Sequence, residues 1–209
     1  WCSYPDFDLI DKFTGYLQPS NYLVYKENAK RRGVLSQNKE FAYLSGRLKV
    51  QLYKEELEAS FRTPHIYGFE LLDLHDFIGQ GTALVGFLDP FWDDKGIISG
   101  EEFQEFCSET VPLLRIEKRV FTRDEILDYP VEICHFGKDD LIDVTPYWKV
   151  LDNSGTIIIE GTFSKRTIPI GKNIDIGRLR LALDKFSTPA AFTIEIGIAD
   201  TKIKNRWNI

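Results

Sequence analysis

The sequence predicts an α+β chain of two unlike parts: the last strand and helices of a TIM (β/α)8 barrel over residues 1–113, then an all-β, immunoglobulin-like sandwich over residues 114–209. Three observations predict it. A helical apolar period runs through residues 36–62. It leads into a nearly continuous apolar run at residues 66–74, which delivers acidic and imidazole groups into a glycine-rich loop, Gly68-Phe-Glu-Leu-Leu-Asp-Leu-His-Asp-Phe-Ile-Gly-Gln-Gly81. Past Pro112 the apolar residues begin to alternate, which is the two-residue repeat of strands. Polar chemistry at the carboxyl end of a buried strand is what an α/β barrel presents at its catalytic face.

In the first part, Phe41, Leu44, Leu48 and Leu52 recur at steps of three and four. They form the apolar stripe of a helix that Pro64 closes, with Lys54, Glu55 and Glu56 on its solvated face. The run at 66–74 has no polar alternation, as expected of a strand covered on both faces. Ser99-Gly-Glu-Glu102 has the form of a capping box, so a second helix is expected to begin near Gly100, with Phe103 and Phe106 on one face. A closed (β/α)8 barrel needs about 250 residues. Roughly half that number precede the sandwich, so this part is expected to be the end of a barrel whose earlier strands lie outside the chain.

In the second part, residues 148–151 and 156–163 flank Asp152-Asn-Ser-Gly155, a hairpin signal. Phe192, Ile194, Ile196 and Ile198 alternate with Thr193, Glu195 and Gly197, the pattern of a half-buried strand. In residues 174–183 the apolar phase slips between Ile176 and Leu179, and Gly177 is the place for a bulge to absorb the extra residue. With residues 115–121 and 130–136 added, about six short strands make a sandwich of immunoglobulin-like size.

Composition narrows the function classes. Apolar residues make up 43% of the 209, enough for packed cores. The 26 basic and 32 acidic residues give a net charge of −6, and basic residues cluster nowhere beyond Lys30-Arg31-Arg32. This argues against nucleic acid as a partner. No apolar run approaches bilayer-spanning length, so no membrane partner is expected. The amino-terminal Trp-Cys-Ser-Tyr-Pro-Asp has neither the basic region nor the apolar core of an export signal. With no methionine in the sequence, the chain is expected to be processed or a fragment. Cys2, Cys107 and Cys134 are odd in number and widely spaced, which favours structural thiols over a disulfide framework.

Asp73, His75 and Asp76 are the candidate binding groups. Carboxylates accept paired hydrogen bonds from sugar hydroxyls, and imidazole both donates and accepts; the competing role is to bond loop backbone at the strand end. Asp73 and Asp76 sit three apart on an extended segment and point to opposite faces, which excludes them as the paired carboxyl groups of a retaining glycosidase. Trp1 and Trp92 are candidate sugar-stacking platforms near this site, whereas core packing is the commoner role of tryptophan. Residues 93–103 imitate half of a calcium loop, but setting Gly96 as the sixth position puts Phe91 first and Lys95 fifth, and neither ligates calcium. His65, His75 and His135 show no metal-ligand spacing. The residues thus imply no cofactor and no metal.

Leu72-Asp-Leu-His-Asp-Phe77 resembles the last barrel strand of family-2 glycoside hydrolases, the β-galactosidase, β-glucuronidase and β-mannosidase family, where Trp-Asp-Trp-x-Asp or Trp-Asn-Phe-x-Asp-Phe is usual. The continuation Gly79-Gln-Gly-Thr-Ala-Leu-Val-Gly-Phe-Leu-Asp-Pro-Phe-Trp-Asp93 is similar to a bacterial branch of that family. Thr110-Val-Pro-Leu113 and the turn at His135-Phe-Gly also fit. The resemblance implies retaining hydrolysis through two glutamates, on the fourth and seventh barrel strands. The second of these comes just before a segment like Trp1-Cys-Ser-Tyr-Pro-Asp-Phe7, so both would precede this chain. A substrate-lining role for Asp73 and Asp76, a carbohydrate substrate reached through the parent enzyme, contact with the remainder of the barrel, and a periplasmic or secreted location are likewise implied, and Trp1 and His75 join the two aspartates as candidate substrate-binding residues on their chemistry. Leu72 and Leu74 stand where many members have aromatic residues, so substrate preference does not carry over. By itself the chain is expected to be inactive and to expose the apolar faces of residues 66–74 and their helices. A reading from a different class is a non-catalytic sandwich that binds carbohydrate or a partner domain.

Overall fold

The computed structural model describes residues 2–72, 74–77 and 83–209. These fall into two compact units, residues 1–56 with 68–100 and residues 57–67 with 101–209. No helix among the described residues is long and apolar enough to cross a membrane.

The first unit is organised by helices α1 (Ser20–Arg31) and α2 (Asn38–Arg62), of which α2 runs on into the second unit. Phe7, Tyr22, Ala29, Val50, Leu84, Phe87 and Ile97 are buried here. The expected helix over 36–62 is present, but its orientation differs from the expected one. Leu44 and Leu48 remain 54% and 55% exposed, whereas Asn38, Lys49 and Val50 are buried. Partners and space decide this. The Asn38 side chain accepts from the Phe7 amide at 3.0 Å and donates to the Pro5 carbonyl at 2.7 Å. Gly46 lets Ile97 approach so closely that a Cβ there would stand 2.5 Å from its Cγ2. The helix thus turns inward the face on which buried polar groups are satisfied, and a buried polar group without a partner is costly.

Among the described residues of the strand expected over 66–74, none belongs to a strand. Ile66, Tyr67, Phe69, Leu72 and Leu74 are exposed, and only isolated bridges pair this region, His75 with Leu88 and Phe77 with Ala83. A strand needs neighbours for its amides and carbonyls, and among the described residues none runs beside 66–72. α1 had no expected counterpart: only Tyr22 and Ala29 on it are buried, while Leu23 and Val24 face out, so its sequence lacks an apolar stripe.

The second unit joins the end of α2 and the short helix α3 (Gly100–Phe106) to nine antiparallel strands. They are β1 (Thr110–Leu114), β2 (Ile126–His135), β3 (Leu141–Val144), β4 (Pro146–Leu151), β5 (Ile157–Thr162), β6 (Arg166–Ile168), β7 (Gly171–Ala182), β8 (Thr193–Ile198) and β9 (Lys204–Asn208). The sheets have strand orders β1-β2-β7, β3-β6 and β5-β4-β8-β9. Leu127, Val131, Ile133, Ile176, Leu179 and Leu181 from the first sheet meet Val150, Ile194, Ile196, Ile198 and Trp207 from the third in one core, the arrangement of a β-sandwich.

Several local expectations hold. β4 and β5 form the hairpin, and the Asp152 carboxylate caps its turn by accepting from the Ser154 and Thr156 amides at 2.8 and 2.9 Å. Val131 pairs with Gly177 while Glu132 pairs with Asp175, so the bulge falls at residues 176–177, where Gly177 adopts φ 137°. Others are revised. Residues 115–121 are not a strand, because the ladder with β2 ends at Leu114 opposite Val131. β8 is buried on both faces, not one, since Glu195 accepts from the Tyr147 hydroxyl at 2.9 Å and is 9% exposed.

A buried carboxylate ties the end of α2 to β9. Glu58, wholly inaccessible, accepts from Asn205 Nδ2 at 2.8 Å, Trp207 Nε1 at 3.0 Å and Arg62 Nη1 at 3.1 Å. Glu58→Ala should leave the indole, the amide and the guanidinium without this acceptor and cost about 3–5 kcal/mol. Hydrogen exchange of the β9 amides should read that loss, and Glu58→Gln, which retains one carbonyl acceptor, should lose less.

Candidate functional site

The site lies in the first unit, where residues 74–77 meet residues 83–88. The Asp76 amide donates to the Leu88 carbonyl at 3.0 Å, Phe77 to Ala83 at 2.9 Å, and Phe87 and Leu88 both donate to Leu74, at 2.9 and 3.1 Å. Gly86 is pressed against this segment. A Cβ at Gly86 would lie 2.2 Å from the carbonyl carbon of His75 and 2.4 Å from the Asp76 nitrogen, so only glycine permits the approach.

Charged side chains satisfy the Gly86 peptide groups. Asp76 Oδ1 accepts from the Gly86 amide at 2.9 Å and from Lys95 Nζ at 2.6 Å. Lys95 also donates to the Gly86 carbonyl at 3.0 Å. Lys49, on α2, donates to the same carbonyl and to Ser3 Oγ at 2.8 Å. Asp76 is 3% exposed and Lys49 is 1% exposed. Burial, reinforced by the neighbouring Lys95 cation, brings the Lys49 ammonium down to about 7. Burial likewise raises the Asp76 carboxyl, against the opposing pull of Lys95, Lys49 and the Gly86 amide. Tyr22, buried near the Asp76, Asp89 and Asp6 carboxylates, is pushed above its usual phenol value, by burial first.

Beside this ionic knot the backbone presents a half-open aromatic pair. His75 Nδ1 bonds the Asp76 carbonyl at 2.8 Å, which fixes the ring, and the imidazole lies 4.4 Å from the Trp92 indole at an interplanar angle of 42°. Trp92 is 60% exposed and adopts φ 69°. The turn that carries it is held by Asp89 Oδ1, which accepts from the Phe91 and Asp93 amides at 2.7 and 3.0 Å. Lys12 closes the outside of the turn through Asp93 at 2.7 Å. Such a pair offers an apolar ring face beside a polar ring edge, chemistry suited to the CH face and hydroxyls of a sugar.

The structure therefore brings together His75, Asp76 and Trp92. Trp1 and Asp73, and the loop at 78–82, lie outside the described residues. The other candidates are placed elsewhere. His135 is buried between Thr110 Oγ1 at 2.7 Å and the Asp139 carbonyl at 2.9 Å, Trp207 is in the sandwich core, and Trp148 packs against it. Among the described residues no cluster of His, Cys, Asp and Glu could hold a metal ion. In the calcium-loop imitation, Asp94 accepts from the Gly96 amide at 2.8 Å, a local turn. Cys134 is buried and Cys107 half-buried, as expected of structural thiols, but Cys2 is exposed.

Comparison with known proteins gives a limited result. Residues 125–209 match a model described as a domain of unknown function (DUF8488), which covers less than half of the chain. No curated protein matches. Among solved structures, the chain is similar to the β-glucuronidase of Parabacteroides merdae with glycerol in its active site, at 12% identity and a TM-score of 0.34, covering 49% of this chain and 14% of that one. A second structure of the P. merdae enzyme gives 11% identity, a TM-score of 0.32, and 49% and 13% coverage. A β-glucuronidase from glycoside hydrolase family 2 gives 13%, 0.31, and 53% and 12%. The chain thus spans about an eighth of the length of these enzymes, and likenesses of this degree carry no functional argument.

Sequence reasoning missed Lys49 and gave Lys95 no role. A lysine in a helix reads as solvated surface, and only its spacing from Asn38 and Val50 on the helix hints that it faces inward. Two outcomes test the knot. From pH 7 to 10.5 the unfolded Lys49 keeps a proton that the folded one has released. Stability should therefore rise with pH across that window, by at most about 1.4 kcal/mol per unit. Below it the penalty of the buried cation is fully present, and above it none remains. Lys49→Met should flatten that rise in denaturation measured at successive pH values. Gly86→Ala should cost about 3 kcal/mol in the same measurement, because the atoms in its way are backbone.

Proposed function

We propose that this chain is a portion of a retaining, family-2-like glycoside hydrolase, with residues 1–113 the carboxy-terminal part of its barrel and residues 114–209 its immunoglobulin-like sandwich. In this reading residues 72–77 are one wall of the sugar pocket. His75 and Trp92, with Trp1 and Asp73, face the substrate, and Asp76 positions His75 from behind. The two catalytic glutamates belong to barrel strands outside these residues, and those strands are the partner that covers the exposed side chains at 66–74.

The observation that carries the reading is the coincidence of the Leu72-Asp-Leu-His-Asp-Phe77 motif with a fixed imidazole and indole pair at 4.4 Å, beside the buried ion pair of Asp76 and Lys95. A carboxylate spent on Lys95 and the Gly86 amide is a positioning group and a poor nucleophile. That agrees with the family pattern, in which neither aspartate attacks the sugar.

Assayed against a panel of 4-nitrophenyl β-glycosides, the chain alone should show no turnover; robust hydrolysis abolished by Asp76→Asn would overturn the assignment of catalysis to other strands. In saturation-transfer NMR with methyl β-glycosides, at least one sugar should receive saturation from the chain, and Trp92→Ala should remove it. Absence of transfer from every sugar of the panel would overturn the pocket-wall reading.

A further inference from the structure

The hydrogen bond that fixes the His75 ring also fixes which of its nitrogens carries the proton. Nδ1 lies 2.8 Å from the Asp76 carbonyl, and a carbonyl oxygen only accepts, so Nδ1 is the donor. In the neutral ring Nε2 is then a bare acceptor. Among the described residues His75 makes no other hydrogen bond and is half-buried, which leaves Nε2 open to a ligand. We infer that His75 is a specificity-determining residue: its Nε2 accepts a hydrogen bond from a hydroxyl of a neutral sugar and turns away a carboxylate presented at the same place. Such a preference rests on the pocket-wall reading above and adds to it the class of sugar, neutral ahead of uronic.

Hydrogen-bond chemistry makes the distinction. A hydroxyl both donates and accepts, so it can turn its hydrogen to Nε2, whereas an ionised carboxylate only accepts. Facing Nε2, a carboxylate would set lone pair against lone pair and leave both groups without the partner that water had given them. The Trp92 indole, its ring centroid 4.4 Å from that of His75, carries an N–H donor. A hydroxyl and a carboxylate can each accept from it, so the indole does not discriminate.

The surrounding charge acts in the same sense. Residues 66–94 contain no lysine or arginine, while Glu70, Asp89, Asp93 and Asp94 join Asp76 among their acids. The lysines that reach residues 76–93 are engaged. Lys12 binds Asp93 at 2.7 Å and stands 3.7 Å from Asp89. Lys95 donates to Asp76 and to the Gly86 carbonyl, and Lys49 donates to that carbonyl and to Ser3. An anionic sugar therefore approaches an acidic turn whose counter-ions are already taken, and a neutral sugar meets no such repulsion.

Two measurements on the full chain separate this preference from the reading beneath it. At pH 8, where imidazole is ordinarily neutral, a long-range proton–nitrogen correlation spectrum, with His75 assigned by comparison with His75→Phe, should show Nδ1 protonated and Nε2 bare. A proton on Nε2 would overturn the proposal whatever the chain binds. Saturation-transfer titrations at the same pH then compare methyl β-glucopyranoside with methyl β-glucopyranosiduronate, and methyl β-galactopyranoside with its uronate, pairs that differ only in the exocyclic group. The neutral member of at least one pair should bind about tenfold tighter, the difference between a hydrogen bond made and an acceptor left unpaired. His75→Phe keeps a ring beside Trp92 and removes Nε2, so it should weaken the neutral sugar and narrow the preference while the spectrum stays dispersed. Equal binding within both pairs, tighter binding of a uronate, or a preference unchanged in His75→Phe would overturn the proposal and leave the pocket wall standing. Absence of transfer from all four sugars would overturn both.

Discussion

The close approach of Gly86 to the backbone of His75 and Asp76 is the constraint around which the first unit is arranged. It buries a peptide amide and carbonyl where no ladder can satisfy them, and buried backbone groups must find partners. Asp76, Lys95 and Lys49 supply those partners. Each comes from a different stretch of chain, so a single glycine gathers the amino-terminal segment at Ser3, helix α2, residues 74–77 and the turn at 89–96. The inward face of α2 follows from this requirement, since Lys49 must reach Gly86 and carries Val50 with it. The half-open pair of His75 and Trp92 follows as well, because the Asp76 carbonyl orients one ring and the Asp89 turn presents the other.

The ion pair at the centre is not an argument for high stability. Removing charges from water costs several kcal/mol per ion, which close contacts offset in part. Lys49 shows this directly, since burial, reinforced by the neighbouring Lys95 cation, brings its ammonium down to about 7. What the arrangement provides is a fixed geometry: two lysines and one carboxylate define the position of one loop, and an imidazole and indole pair lies beside it. The sandwich rests on the opposite balance. Its core is aliphatic side chains and one indole, and the buried Glu58 beside it accepts from several donors at once.

Much of the sandwich was legible in the sequence because its signals are local. Asp152-Asn-Ser-Gly155 specifies a turn through side-chain to backbone hydrogen bonds, and the phase slip at Gly177 marks a bulge because two residues face one partner there. β3 and β6 escaped because each is only four or three residues long, too short to show a period. In the first unit the helix over 38–62 was legible but its buried face was not. Leu44 and Leu48 advertise an apolar stripe, yet Asn38 and Lys49 take the inward positions because their partners are there. The run at 66–74 carries the composition of a buried strand, and composition does not supply the neighbouring strand that makes one.

By itself the sequence determined where backbone periodicity and turn chemistry act over a few residues: the long helix, the hairpin, the bulge, and the motif that sets His75 and Asp76 side by side. The tertiary structure decided which faces are buried, whether an apolar run pairs, and what the charged residues do. The reason is range. Propensity and pattern act between neighbours, whereas the partner of Asp76 is 19 residues away and that of Lys49 is 46 away. A buried charge is tolerated only where such distant partners meet it.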